Sequence, residues 1–499
     1  MGRRISFVLD DKSVDVERHQ HQHEALLDLQ HDSTFAGKDR SSSSVQKASS
    51  SPVRGSLTWL KDVLKLLLFC AVTVAGMTLI AQSFPQLSWF FKPESAHDSY
   101  GIMPSSMDAC PSSFHNTTLA MDFTDPNRFA FTQKSQGTAN QIQRTSGSVK
   151  IIGSVEVRNT VRLTGSYVHV DLDIRGSDPQ LNSALAVAKT DASLVIKTPE
   201  KLATNRVSVG AVQVPCLYIS AVITINTGAK LQKLGITTES LAVLFRPGLD
   251  YSESRVVGTK TQFDSKSSYS RDTIIDVASA SVTGTFPLYD LLSIHTNTGS
   301  ISVDVVPKNA SRVTVKPAAL RLSSNSGSVR NTIPTSSVPD RDYQTSISTS
   351  SGSIDAVILH GLRTSLRSIN GRISAQLYPY GHNNSRSDIE VHSTSGNKDI
   401  RIRPSISHPL DPLRKLYGYY RGVSGSLNLF YPAQWQGSID GTTSTGSINL
   451  NWQGLKVVKD GSDGSAKRRV QAVRGKGEGR LEFHETSGSF RLAGESGGV

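Results

Sequence analysis

The chain has 499 residues, of which only 37% are hydrophobic and 7% aromatic, and its net charge is +12. This composition argues against a large helical bundle and favours many short strands joined by turns. The basic residues are not interleaved with aromatic ones in any recognised nucleic-acid module, so we expect no nucleic-acid partner.

The N-terminal region, residues 1–55, is polar and includes four consecutive serines at 41–44. Such a segment cannot bury enough apolar surface to offset the entropy of ordering, so we predict a disordered tail. Ser6 follows Arg3 and Arg4, an arrangement that resembles the sites of basic-directed kinases. Ser6 is therefore a phosphorylation candidate.

An apolar segment follows the tail, and residues 66–91 contain no charged side chain. A helix of about 20 apolar residues crosses the hydrocarbon core of a bilayer, so we predict one transmembrane helix at 62–84. A cleaved signal peptide fits poorly, because about 60 polar residues precede the segment. A buried core helix would not normally contain so long an uncharged run.

The charges that flank this segment predict its orientation. Lys47, Arg54, Lys61 and Lys65 precede it, whereas Lys92 is the one basic residue close behind it. By the positive-inside rule the N-terminus lies in the cytosol, and the remaining chain is lumenal or extracellular. Which membrane is involved stays open.

Glycosylation sequons agree with this orientation. Asn116, Asn309 and Asn383 each begin an Asn-x-Ser/Thr triplet, and all three triplets follow the predicted helix. We therefore treat these three asparagines as glycosylation candidates on the far side of the membrane.

Residues 85–140 are interpreted as a juxtamembrane linker and the entry to the far-side domain. Cys110 and Cys216 lie beyond the predicted helix and are candidates for one disulfide, provided that this side is oxidising. Two free thiols are the alternative.

A short motif recurs in the rest of the chain, with the pattern Thr/Ser/Asn-Gly-Ser followed by an aliphatic residue. Nine copies align on their glycines, and the residues five before, two after and four after the glycine are each apolar in eight of nine copies. The aligned glycines are Gly147, Gly299, Gly327, Gly352, Gly371, Gly396, Gly425, Gly446 and Gly488.

This register predicts a repeating unit of strand, corner and strand. Residues two and four after the glycine lie on one face of a strand, and the glycine permits the sharp corner. The corners from 299 to 446 are spaced about 25 residues apart, the size of one solenoid coil. We therefore predict an all-β, single-stranded parallel β-solenoid over 141–499, in which coils stack to bury their apolar faces.

Two parts of this assignment are less regular. The gap from Gly446 to Gly488 corresponds to about two coils, and between 147 and 299 the pattern degrades, with Gly165, Gly228 and Gly284 as candidate corners. The alternative architecture is an antiparallel sandwich of hairpins, for which Asn370-Gly371 is a suitable turn.

The repeated Thr-Ser-Gly-Ser-Ile pattern with alternating aliphatic residues resembles the putative-adhesin family of toastrack-like β-solenoids. The resemblance covers residues 141–499. It implies the solenoid fold and an adhesive or structural role, and it implies no defined chemistry.

The carboxylates that could serve as catalytic groups are weak candidates. Asp171 and Asp173 alternate on one predicted strand, and Asp304, Asp355 and Asp440 lie near corners. Isolated, outward-facing carboxylates are usually part of a solvated surface, so we predict no catalytic site. Histidines lack zinc-ligand spacing, and no phosphate-binding loop is present, so we predict neither a metal nor a cofactor.

We therefore expect a non-enzymatic, membrane-anchored solenoid that presents a repetitive surface to a glycan, a cell-wall polymer or another protein. A basic surface of this kind suits an anionic polysaccharide. The alternative is a carbohydrate-active enzyme on the same scaffold, which would need two carboxylates within reach of each other. The aromatic cluster at 429–432 and Trp435 is expected to fill the core, with a sugar-stacking platform as the alternative.

Overall fold

The computed structural model describes residues 115–136, 146–160, 165–203, 214–226, 229, 231–246, 270–310, 317–380, 386–406, 412–462 and 467–495, all within one compact unit. The predicted tail at 1–55 and the predicted span at 62–84 lie outside these residues, as do Ser6, Cys110 and Asn383. Within the described residues, no helix has the length and apolar character needed to cross a membrane.

The described chain is built almost entirely of strands, which confirms the all-β prediction. The first half contains β1 (His115–Phe123), β2 (Arg128–Gln136), β3 (Ser146–Ser148), β4 (Lys150–Thr160), β5 (Val168–Gly176), α1 (Pro179–Ala184), β6 (Ala186–Lys189), β7 (Ser193–Pro199), β8 (Lys201–Ala203), β9 (Cys216–Asn226), β10 (Lys233–Thr238), β11 (Ala242–Phe245), β12 (Asp272–Val277), β13 (Val282–Leu288), β14 (Leu291–Thr296) and β15 (Ile301–Pro307).

The second half contains only strands among its described elements. They are β16 (Ala318–Ser324), β17 (Val329–Thr332), β18 (Tyr343–Thr349), β19 (Ile354–His360), β20 (Arg363–Ser368), β21 (Ile373–Pro379), β22 (Ser387–Ser395), β23 (Lys398–Ile402), β24 (Leu416–Ser424), β25 (Leu427–Pro432), β26 (Gly437–Thr445), β27 (Ile448–Asn451), β28 (Leu455–Ser462), β29 (Arg468–Arg474), β30 (Gly479–Ser487) and β31 (Phe490–Glu495).

All of these strands except β3 and β8, which pair with each other, form two long sheets that face each other across one hydrophobic core. Sheet 1 has the order β1-β5-β9-β4-β11-β13-β15-β17-β19-β21-β23-β25-β31-β27. Sheet 2 has the order β28-β29-β26-β30-β24-β22-β20-β18-β16-β14-β12-β10-β2-β7-β6. From β10 to β25 every pairing within these sheets is parallel, and the chain alternates between them, as expected of solenoid coils and unlike a hairpin sandwich.

The aligned apolar positions of the repeat stack on one another. Five residues before each glycine, Ile294 pairs with Leu322, which pairs with Ile347 of the next coil. Two residues after each glycine, Ile301 and Val329 pair in the same way. All five side chains are buried, so the alignment of the repeats in the sequence matches the stacking of the coils in the core.

The corner glycines also form a column. A Cβ atom added to Gly327 would overlap the carbonyl oxygen of Gly299, and one added to Gly352 would overlap that of Gly327. The close approach of consecutive backbones therefore excludes any side chain at these corners. The column continues through Gly371, Gly396, Gly425, Gly488 and Gly446.

A buried serine or threonine lies three residues before most of the corner glycines and hydrogen-bonds to the corners. The Gly327 backbone N–H donates to Ser324 Oγ at 2.8 Å, and this hydroxyl donates to the Gly299 carbonyl oxygen at 2.9 Å. The hydroxyls of Ser324, Thr349 and Ser368 each accept from the glycine N–H of their own corner and donate to the glycine carbonyl oxygen of the previous coil. Thr296, Thr349, Ser368 and Ser393 occupy the same buried position.

The N-terminal part departs from the repeat. Gly147 lies in β3 and pairs with Leu202 of β8 in an antiparallel arrangement, so the first motif copy is outside the glycine column. Gly284 lies within β13 and is not a corner, and Gly165 precedes β5. Antiparallel pairing of β1 with β5 and of β5 with β9 closes this end of sheet 1.

The C-terminal part also departs from the predicted order of coils. The 42-residue gap does not hold two coils stacked in sequence, because β28 and β29 form an antiparallel pair and β29 pairs with β26. The chain then returns, and β30 and β31 lie between the two preceding coils, parallel to both. We call residues 479–495 the inserted coil.

Candidate ligand-binding face

Side chains alternate along each strand, so every second residue of sheet 2 points away from the core. The outward residues of β20, β22, β24, β30 and β26 form the candidate face, and they differ from the small polar residues that precede them in the stack. On β18 the outward residues are Gln344, Ser346 and Ser348, whereas on β24 they are Tyr417, Tyr419 and Arg421.

Four nitrogen-rich side chains lie side by side across the candidate face. Arg367 pairs in register with His392, His392 with Arg421, and Arg421 with His484. Neighbouring strands are about 4.8 Å apart, so the four residues form a line about 15 Å long, perpendicular to the strands. We call this line the basic row.

The two histidines of the basic row are held in the neutral form. Burial lowers the pKa of His392, and the neighbouring Arg367 and Arg421 lower it further. Burial likewise lowers the pKa of His484, although Glu482 acts in the opposite direction. At neutral pH the row therefore presents fixed guanidinium charges next to uncharged imidazoles.

Carboxylates neutralise most arginines around the row. Glu390 accepts hydrogen bonds from Arg363 at 3.2 Å and Arg367 at 2.8 Å. Burial tends to raise the pKa of Glu390, but the two arginines hold it below its usual value. Arg421 is different: among the described residues it forms no ion pair, and its guanidinium lies 5.5 Å from the centroid of the Tyr419 ring.

Two tyrosines supply aromatic surface beside the row. Tyr419 is half-buried, and its ring centroid lies 5.8 Å from that of His484. Tyr417 lies two residues earlier on the same face, with the Arg386 guanidinium 4.2 Å from its ring centroid. Half-exposed aromatic rings beside cations can stack on apolar surfaces and hold a nearby anion.

The carboxylates considered as catalytic candidates lie apart from the basic row or are already paired. Asp171 contacts His169 at 3.1 Å, Asp173 binds Arg175 at 2.7 Å, and Asp440 binds Arg469 at 2.6 Å. Asp304 accepts a hydrogen bond from the Thr332 hydroxyl. These contacts favour structural roles for the four carboxylates.

Within the described ranges, no group of three or more His, Cys, Asp or Glu residues could hold a metal ion.

The remaining predicted residues lie away from this face. Asn116 is exposed on β1, and Asn309 is exposed just after β15. Cys216 is buried at the start of β9 and is disulfide-bonded, with a partner outside the described residues, so Cys110 stays the predicted partner.

The aromatic cluster fills the core, as expected. Trp435 and Tyr431 are fully buried, and Trp435 stacks on Trp452 with ring centroids 5.6 Å apart. The Tyr420 and Tyr431 hydroxyls are 2.7 Å apart, which satisfies two polar groups in an apolar environment. Their burial excludes Tyr431 and Trp435 from a sugar-stacking platform, whereas Phe430 of the same segment is half-buried on the outward side, with the Arg401 guanidinium 4.7 Å from its ring centroid.

Sequence reasoning missed the basic row, although the aligned repeat contained a signal for it. The row occupies the position four residues before each corner glycine, which is outward-facing. This column changes from serine at Ser323 and Ser348 to arginine and histidine in the later coils. The three apolar columns predict the core, whereas this polar column predicts the candidate face.

No family model and no curated protein matches the sequence. Among solved structures, the chain is similar to a putative adhesin from Bacteroides fragilis, with 13% identity and a TM-score of 0.28, over 60% of this chain and 99% of that one. It is also similar to a putative cell adhesion protein from Clostridium sporogenes (7% identity, TM-score 0.13, 76% and 100% covered) and to a putative adhesin from Parabacteroides merdae (7%, 0.19, 77% and 97%). Likenesses of this size establish neither a family nor a function.

Proposed function

We propose that this protein is a membrane-anchored, non-enzymatic binding protein, adhesin-like in its architecture, whose β-solenoid presents the candidate face to an extended partner. The anchor is the predicted helix at 62–84, with the N-terminus in the cytosol and the solenoid on the lumenal or extracellular side. The partner is a glycan or a cell-wall polymer, and a second protein is the alternative.

One observation carries this proposal. Tyr417, Tyr419 and Arg421 line the outward side of a single strand, and their neighbours in register extend the same surface across adjacent coils. A regular, parallel array of side chains suits a partner that is itself extended and repetitive. Exposed aromatic and arginine side chains are also those most often found at the centres of binding surfaces.

A binding experiment with the full-length protein in neutral-lipid nanodiscs tests the proposal. The protein is applied to an array of polysaccharides, alongside a Y417A/Y419A variant and a Y218A control. Tyr218 lies on the outward face of sheet 1, 5.7 Å beneath Arg175, and so has a comparable environment on the opposite sheet.

We expect the double variant to lose at least about tenfold in affinity, because stacking on the two rings is removed, and Y218A to bind as the wild type does. Equal losses in both variants, or none in either, would contradict a site on the candidate face. Shortening of a bound polymer during incubation would contradict the non-enzymatic assignment.

A further inference from the structure

The partner of the candidate face can be specified further, on the premise that the proposed function is correct. We propose that the basic row binds an acidic polysaccharide, and that one of its carboxylate or sulfate groups lies against Arg421 between His392 and His484. The distances, pairings and charges of the described residues support each part of this assignment.

Arg421 is the natural centre of such a site. Arg363 and Arg367 share Glu390, Arg386 binds Asp388 at 2.7 Å, and Arg469 binds Asp440. Arg480 is likewise paired with Glu482. Arg421 is exposed and, in the described part of the chain, it forms no ion pair. Its guanidinium makes a cation–π contact with the Tyr419 ring. Its five N–H donors remain available for the fork-like hydrogen bonds that carboxylates and sulfates accept.

The flanking histidines make anion binding dependent on pH. Arg367, Arg421 and Glu390 on the same face and the buried Lys398 act on His392 through their charges, and the net effect with burial is a lowered pKa. An anion seated at Arg421 would offset the repulsion from the arginines and favour protonation of the imidazole. By linkage, the anion must then bind more tightly as the pH falls.

The same reasoning applies to His484 on the other side of Arg421. It faces Glu482, Arg421, Asp440 and Arg469, contacts the Tyr419 ring, and has its Nδ1 3.0 Å from the Thr442 hydroxyl oxygen. Because Nδ1 is engaged by Thr442, Nε2 is the nitrogen left to meet a ligand. The two imidazoles therefore bracket one anionic group.

The surrounding surface favours a sugar polymer as the carrier of that anion. Tyr419 lies about 7 Å along the strand from Arg421, on the same face, and offers a ring for the apolar side of a sugar. The line of the basic row crosses four coils, so a linear chain can extend over the row without bending. The excess of positive charge in the sequence, +12, matches a polyanion.

Binding of the full-length protein in neutral-lipid nanodiscs to three immobilised polymers tests the inference: polygalacturonate, dextran sulfate and neutral dextran. Measurements are made at pH 7.5, 6.5 and 5.5. The variants are R421Q and H392Q/H484Q, and R321Q is the matched control. Arg321 is an exposed arginine on the same side of sheet 2, on β16, four strands away from the strand that carries Arg421.

We expect both acidic polymers to bind, and neutral dextran to bind much more weakly. R421Q should weaken binding about tenfold or more at every pH, the size expected for one lost charge-assisted contact, and R321Q should bind as the wild type does. Wild-type affinity should increase as the pH falls, and H392Q/H484Q should lose this increase. All substitutions are at exposed or half-exposed outward positions, and unchanged melting temperatures would verify that the variants are folded.

Equal binding of neutral and acidic dextrans, or wild-type affinity in R421Q, would overturn the inference while leaving the proposed function in place. Binding to anionic lipid vesicles but to no polysaccharide would overturn the inference in favour of a membrane surface. Failure to bind any polysaccharide on a broad array would contradict the proposed glycan or cell-wall partner as well.

Discussion

The corner glycines set the distance between coils. Because a Cβ at Gly352 would overlap the carbonyl oxygen of the preceding corner, Gly327, we predict that G352A lowers the free energy of unfolding by about 1–3 kcal/mol or more. Gly461 has no heavy atom within 4 Å of the position that a Cβ would take, so G461A is the matched control and should be neutral. Urea unfolding of both variants measures the difference, and equal stabilities would contradict the glycine column.

His169 bridges two carboxylates at the antiparallel end of sheet 1, with its ring nitrogens 2.8 Å from Asp122 and 3.1 Å from Asp171. Burial would lower the pKa of His169, but these two hydrogen bonds raise it above its ordinary value. The stabilisation by the charged ring is therefore complete below the unfolded pKa, about 6.5, and is lost as the pH rises through the folded pKa.

H169Q should remove this dependence. Between pH 5.5 and pH 8.5 we expect the wild type to lose more stability than H169Q does. Urea unfolding of both proteins at the two pH values measures this difference. Identical changes with pH in both proteins would show that His169 does not bridge the carboxylates in solution.

At the scale of the coil, the inserted coil explains two of the three sequence positions that break the apolar columns. Gly441 stands where other copies have a large apolar residue, because the Phe483 ring of the inserted coil occupies that space. Lys398 stands where other copies have an aliphatic residue, and its Nζ lies 3.2 Å from Glu485 Oε1 of the inserted coil. Gly422 leaves room for this pair.

Both members of the Lys398–Glu485 pair are fully buried. We predict that K398M destabilises the protein by about 3–5 kcal/mol at neutral pH, because it leaves Glu485 buried without a cation. The double variant K398M/E485M should recover much of this loss. Chemical denaturation of the three proteins measures it, and a double variant no more stable than K398M would contradict a coupled pair.

The pH dependence of K398M provides a second check. Burial already raises the pKa of Glu485 above its ordinary value, with Lys398 acting against the shift. The native state therefore holds this proton more tightly than the unfolded state does, and its stability falls as the pH rises through the folded pKa. The destabilisation that K398M causes should therefore be smaller at pH 5 than at pH 8.

The same residues show how much of the fold the sequence predicts. The spacing of Ile294, Gly299 and Ile301 repeats in every regular coil, so the stacked core between β14 and β25 could be read directly. The insertion could not be read, because all coils share one register, and the exceptions Gly441 and Lys398 do not by themselves identify the coil that packs against them. In the first motif copy, Arg144 stands three residues before Gly147, where six of the eight stacked corners have serine or threonine.

For the whole molecule, the placement of the solenoid relative to the membrane is a prediction from sequence. If the domain is lumenal or extracellular, treatment of the protein expressed in eukaryotic cells with an N-glycosidase should increase its gel mobility. Because Asn116 and Asn309 are exposed, N116Q and N309Q should each remove one step of that shift. An unshifted protein whose C-terminal domain is cut by protease added to the cytosolic side would contradict the orientation.

The candidate face depends on the order in which the coils stack, since the inserted coil brings His484 next to Arg421. Ser424 pairs in register with Ser487 of the inserted coil, and Ser487 pairs with Thr445. If the coils were stacked in chain order, Ser424 and Thr445 would be neighbours instead. Adjacent strands have the Cα separation that a disulfide needs, whereas strands two apart are separated by about 9.6 Å, which is too far.

Cross-linking of two cysteine pairs in the full-length protein therefore tests the account most directly. Mild oxidation followed by mass spectrometry of unreduced peptides should detect a disulfide in S424C/S487C and none between the introduced cysteines of S424C/T445C. A disulfide in S424C/T445C, with none in S424C/S487C, would contradict the inserted coil and the basic row built on it.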